Sequence, residues 1–215
     1  MAIYQAGYLS PIKNKLGNAV GRRWRSLNVL SVYNGTPRNP RTTSQQLQRT
    51  KFAALARLAM HFANAANIGF AAAVAGTKNF GRSMFMKKNY RMVHSDTPGS
   101  ATIDYEDLVV SMGSLTDPQF GSATFTNPLE INVTNTDNTG VGTAKATDKL
   151  YVFAYVPESE LLLEQTAAAV RSDAAVKITC PAFTIGQRAH VYGFAVSADG
   201  EKVSETRYLG TGSIS

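Results

Sequence analysis

The sequence predicts an α+β fold, with an N-terminal hairpin and a long alanine-rich helix followed by an all-β immunoglobulin-like sandwich. Three observations carry this. Apolar residues from Leu47 to Ala66 recur at helical spacing. From Asp107 onward, short alternating runs are separated by turn chemistry. Composition also switches near residue 95, inside the turn-rich stretch 93–102. Two domains are expected, a basic hairpin-and-helix assembly domain over 1–95 and a β-sandwich domain over 101–215.

Residues 1–15 read as an arm or first strand that docks on a partner. Residues 18–25 and 27–33 read as two strands of a hairpin, rich in strand formers such as Val29 and Tyr33 and closed by Asn34-Gly35-Thr36-Pro37. Gly17 and Gly21 fall where a backbone must bend or be approached closely. Pro40 biases Asn39 away from helical angles, and Thr42, Thr43 or Ser44 can cap the helix that starts near Ser44.

In that helix Leu47, Lys51, Leu55, Leu58, Phe62 and Ala65 or Ala66 form one stripe. Phe52, Ala56, Ala59 and Ala63 form a second, which permits close helix approach. Between them run Arg57, His61, Asn64 and Asn67. The span from Phe52 to Ala75 raises a membrane reading, and this polar stripe with its arginine argues for a protein-facing helix instead. Gly69 and Gly76 are expected to break the run, and a second basic helix is expected over Phe80 to Tyr90.

Strands are expected at Asp107–Met112, Gly121–Phe125, Leu129–Asn135, Lys149–Val156, Ala175–Cys180, His190–Ser197 and Lys202–Leu209. A short helix is expected at Glu158–Gln165. About seven short strands in about 110 residues fit a sandwich of immunoglobulin-like or fibronectin-like kind.

The charge is unevenly divided. Residues 1–95 hold six Lys and nine Arg with no Asp or Glu, while the rest holds seven basic and all fifteen acidic residues. Such asymmetry implies a polyanion contact or complementary packing of one part on another. The single cysteine, Cys180, excludes an intrachain disulfide and any multi-cysteine metal site. No charged region followed by an apolar run opens the chain, so no signal peptide is expected.

No nucleophile elbow, phosphate-cradling loop or paired metal-ligand spacing is present. His61, His94 and His190 lie far apart and fit core or surface roles better than a metal or acid–base site. The acidic groups Asp104, Glu106, Asp107 and Glu158, Glu160, Glu164 fit a solvated strand end and helix face. The chain is therefore expected to be non-enzymatic, with no cofactor, no metal and no catalytic residue.

The basic part is the strong signal. The candidate assembly or DNA-contact residues are Arg22, Arg23, Trp24, Arg25, Arg38, Arg41 and Arg49. Strand alternation puts Arg23 and Arg25 on the face opposite Arg22 and Trp24. An arginine beside an aromatic suits stacking on bases or on planar groups of another protein. Gln45, Gln46 and Gln48 can read adenine edges, though a polar helix face is the plainer account. Fifteen cations without an anion would bind phosphate with steep salt dependence. No helix-turn-helix or zinc finger is present, so cations that face the acidic part of a neighbouring subunit account for the same pattern.

The hairpin Gly17-x-x-x-Gly21-Arg22-x-Trp24 and the stretch Asn39-Pro40-Arg41-Thr42-x-x-Gln45-Gln46-x-Gln48-Arg49-x-Lys51-Phe52 resemble an uncharacterised family of Bacteroidetes bacteria and their tailed phages. Members from phages similar to the gut crAss-like group are associated with rings of the virion neck and tail. The resemblance implies a structural virion protein, a ring or connector subunit made in the host cytoplasm and assembling into a homo-oligomeric ring. The implied partners are copies of itself, portal, neck or tail proteins, and DNA passing through the channel, with no membrane. The alternative is a non-enzymatic nucleic-acid-binding protein that uses the basic N-terminal half. A carbohydrate-binding or cell-surface module rests only on the sandwich.

Overall fold

Short alternating segments at the N-terminus pair into one antiparallel sheet. Its strands are β1 (Ala2–Tyr4), β2 (Asn14–Leu16), β3 (Ala19–Trp24) and β4 (Leu27–Val32), in the order β1-β4-β3-β2. Gly17, with φ of 57°, makes the two-residue turn from β2 to β3 at an angle that a side chain disfavours. The computed structural model describes residues 2–4, 13–25, 27–35, 41–127 and 129–214. It divides into two units, Met1–Arg41 and Thr42–Ser215.

The second unit opens with α1 (Thr43–His61), capped by Thr42, whose Oγ1 accepts from the Gln45 N–H at 3.4 Å. The helical path continues through α2 (Ala63–Gly69) and α3 (Ala71–Val74), and α4 (Gly81–Asn89) lies where a second basic helix was expected. The predicted stripe is the buried one, since Leu55, Leu58, Phe62, Ala65 and Ala66 are all enclosed. No helix among the described residues is long and apolar enough to cross a membrane.

α2 ends at Gly69 and α3 starts at Ala71, so the run is interrupted where expected, and Gly76, with φ of 70°, follows the end of α3. The Gly69 carbonyl accepts from the Met112 N–H at 3.1 Å. Gly69 also permits close approach, because a Cβ there would stand 2.3 Å from the Val110 carbonyl oxygen and 2.8 Å from Ser111 Cβ. Gly81 is similar, with 2.3 Å to the Ala66 carbonyl oxygen. Gly69→Ala is expected to destabilise the second unit by about 1–3 kcal/mol through overpacking, read as a lower urea midpoint with an unchanged slope.

The expected linker at 93–102 is instead a hairpin, β5 (Val93–Thr97) and β6 (Ser100–Ile103), which packs on α1. The Gly99 N–H at its turn donates to Thr50 Oγ1 at 3.0 Å. The expected strand at 107–112 is not a strand. Its backbone is satisfied by side chains: Asn89 Oδ1 accepts from Val109 N–H at 2.7 Å and Asn89 Nδ2 donates to the Val109 carbonyl at 2.7 Å. Thr206 Oγ1 accepts from the N–H groups of Val110 and Ser111.

Two antiparallel sheets follow. One has the order β12-β8-β7, from β7 (Gln119–Asn127), β8 (Glu130–Thr136) and β12 (Ala175–Thr179). The other has β10-β9-β13-β14, from β9 (Lys149–Val156), β10 (Leu161–Glu164), β13 (Arg188–Val196) and β14 (Arg207–Ser213), with the short β11 (Ala169–Val170) also on β9. The helix expected at Glu158–Gln165 is therefore a tight turn, with Glu160 at φ of 52°, and the strand β10 paired to β9. The last strand begins at Arg207, later than expected, after an irregular stretch.

Alternation along β9 and β13 divides the second unit into layers. Leu150, Val152, Ala154, Val191 and Ala195 meet Ile131, Val133, Val176 and Ile178 of the three-stranded sheet. Phe153, Tyr155, Tyr192 and Phe194 face the other way and share a core with Leu55, Leu58, Phe62 and Phe85 of the helices. The order is thus helices, five-stranded sheet, three-stranded sheet, a mixed α+β architecture. The compositional switch near residue 95 falls inside this unit because one core runs from Leu55 to Val203.

Candidate functional site

Register places the candidate residues of the N-terminal sheet. Arg22 lies opposite Val29 and Trp24 opposite Leu27, and Val29 in turn lies opposite Ile3 on β1. Cross-strand partners share a face, so Ile3, Arg22, Trp24, Leu27 and Val29 line one side and Arg23 points to the other. Arg22 Nη2 donates to Ser31 Oγ on its own face at 3.3 Å. Lys15 places its ammonium 3.9 Å from the centre of the Tyr33 ring.

Arg25 departs from the expected alternation. It lies beyond the end of β3, in the turn to β4 with φ of 56°, and its guanidinium stands 5.1 Å from the Trp24 ring centre. It therefore joins Trp24 rather than Arg23. Arg38 lies outside the described residues. Arg41 is exposed at the end of the first unit, whereas Arg49 is on α1 in the second unit. Gln48 accepts a hydrogen bond from Tyr90 OH, which commits its amide to the helix layer.

Among its described residues the sheet has almost no core. Val29 is the only side chain buried among its described residues, held between Ile3 and Arg22 on the neighbouring strands. Trp24 is 56% exposed and Val32 81% exposed, and Ile3 and Leu16 are exposed as well. With so little apolar surface buried among its described residues, a sheet of this length gains from a covering surface.

The histidines and carboxylates of the second unit are largely engaged. Glu160 takes Arg57 at 3.2 Å and His61 at 3.4 Å, an ion pair between α1 and the β9–β10 turn. Asp104 takes His94 at 3.0 Å. His190 stacks on Tyr105 with centroids 4.7 Å apart and bonds Tyr208 OH through Nδ1 at 3.0 Å. Burial pushes the His190 pKa down, with Arg188 adding to the effect, which favours a neutral packing role. No group of three or more metal-ligating side chains occurs among the described residues.

One site becomes visible only in the fold. Glu106 and Asp107 meet Glu205, which is distant in sequence, around a groove of about 340 Å³ that is also lined by the apolar Leu108, Val109 and Met112 and by Ser111, Thr206 and Tyr208. Lys88 also lines it. The three carboxylate residues are exposed, and Leu108 is buried.

Residues 11–210 match the Family of unknown function (DUF6266). The chain belongs to this family. The match runs through both units, from before β2 to within β14. No curated protein and no solved structure matches the chain.

Proposed function

We propose that this chain is a non-enzymatic structural protein of the virion, a ring or connector subunit between the portal and tail of a tailed phage. The observation that carries the reading is the uncovered N-terminal sheet, whose charged side chains are all cationic. Such a sheet completes itself by assembly. The chain carries its own counter-charge on the sandwich, and a positive surface meeting a negative one on the next copy is a heterologous contact, the kind that closes rings. The resemblance of the hairpin and the Asn39–Phe52 stretch to a family with neck and tail ring members supports the phage setting.

Strand order supports reading the sandwich as immunoglobulin-like. The sheet β12-β8-β7 corresponds to E-B-A and the path β10-β9-β13-β14 to C′-C-F-G. The departure is on the outer face of the second sheet, which here is covered by helices.

Light scattering of the purified protein at low and high salt, with and without duplex DNA, tests the function. A discrete high-order multimer indifferent to DNA is expected, together with the protein's presence in particles by mass spectrometry. A monomer absent from particles would sink the reading. The stacked Arg25–Trp24 pair beside Arg22 favours a second reading, nucleic-acid binding. That reading expects a monomer that gains mass only with DNA and releases it in salt.

A further inference from the structure

We propose that the Trp24 face of the N-terminal sheet docks into the groove formed by Glu106, Asp107 and Glu205 of a second copy of this chain. This rests on the ring reading above and names the surfaces that meet. The Trp24 face presents an exposed aromatic ring with the Arg25 guanidinium over it and Arg22 beside it. The groove presents the counterpart, exposed carboxylates beside the partly exposed apolar side chains of Val109 and Met112. Tryptophan and arginine are the residues most often found as interface anchors, and they work best where a pocket desolvates the ring.

Charge selects the occupant. The helix layer is also cationic, with Lys87, Lys88 and Arg91 exposed, so a helix layer of a neighbour would repel the sheet. The exposed carboxylates of the groove attract it, and they repel phosphate, which separates this surface from a nucleic-acid site. Lys88 also lines the groove, so the arginines are placed against Glu106, Asp107 and Glu205 and away from Lys88. The two surfaces are different patches of one chain, so each copy offers one of each and the contact repeats around a ring.

Two charge-reversed variants test this. One carries Arg22→Glu and Arg25→Glu, the other Glu106→Arg and Glu205→Arg. Far-UV circular dichroism first checks that each keeps the wild-type fold. Alone, each has two patches of like sign, and the concentration for half-assembly is expected to rise at least about tenfold. Mixed in equal amounts, every sheet again finds an opposite groove, and multimers of alternating copies are expected by light scattering. Folded variants that assemble like the wild type overturn the groove assignment and leave the ring reading standing. Variants that fail to assemble both alone and mixed also overturn it, because the groove then does not receive the sheet. A wild-type protein that stays monomeric, with or without duplex DNA, and is absent from particles defeats the ring reading itself.

Discussion

Arg171→Ala is expected to destabilise the second unit by about 3–5 kcal/mol, because it removes one partner of a fully buried ion pair. Arg171 Nε donates to Asp148 Oδ2 at 3.1 Å, Nη1 to Asn138 Oδ1 at 2.7 Å and Nη2 to the Thr116 carbonyl at 2.8 Å. Its main-chain N–H also reaches the Asp148 carbonyl at 2.8 Å. One guanidinium thus ties together the segments at 116, 138 and 148 at one end of the sandwich. Without it, the Asp148 carboxylate stays enclosed with only the Lys145 N–H for Oδ2. The double variant Arg171→Met with Asp148→Leu removes both charges and is expected to recover more than half of the loss. Urea unfolding of wild type, both single variants and the double variant measures this. A single variant within about 1 kcal/mol of wild type would show that the pair is not enclosed as described.

Neither Arg171 nor Asp148 stands out in the sequence. Each sits in a loop among other polar residues, and only the fold brings them together across 23 positions. The strands themselves were more legible. The expected strand Lys149–Val156 has the bounds of β9, because β-branched and aromatic residues fill it without a breaker. The same run carries a further signal that a charge-based boundary hides. Tyr151, Phe153 and Tyr155 alternate with Leu150, Val152 and Ala154, so both faces of the strand are apolar, as befits a strand covered on both sides. Charge reports on surfaces and says little about which elements share a core.

Other departures have local causes. Leu161-Leu162-Leu163 is too short for its period to separate strand from helix, and the left-handed Glu160 that turns it back on β9 has no glycine to announce it. The leucine and valines at 108–110 resemble a strand, but their hydrogen bonds come from Asn89 and Thr206, which no local pattern reveals. At the candidate site, the faces of Arg22, Arg23 and Trp24 followed from alternation alone. The turn that swings Arg25 onto Trp24 did not, nor did the arrival of Glu205 beside Glu106 and Asp107.

Phe62→Ala tests whether the helices and sandwich are one cooperative body. Phe62 is fully buried and stacks on Phe85 at 5.3 Å, with Tyr155 at 5.2 Å and Tyr192 edge-on at 5.8 Å. It is therefore the ring through which the α1–α2 junction grips both α4 and the aromatic face of β9 and β13. Truncation is expected to cost about 3–5 kcal/mol, from lost transfer energy plus a cavity that rigid sheet neighbours cannot fill. In a separate helical domain the loss would appear only in the helix signal at 222 nm, and the tyrosine-rich sheet would melt where it did before. A shared core requires that far-UV ellipticity and near-UV tyrosine signals shift together to one lower midpoint. Two separated transitions, with the sandwich unmoved, would place a boundary near residue 95 and reduce the helix–sheet contact to a docking surface. A single shifted transition means that the basic helices cannot detach from the acidic sandwich. Their exposed cations, Lys87, Lys88 and Arg91, then face outward on a fixed body.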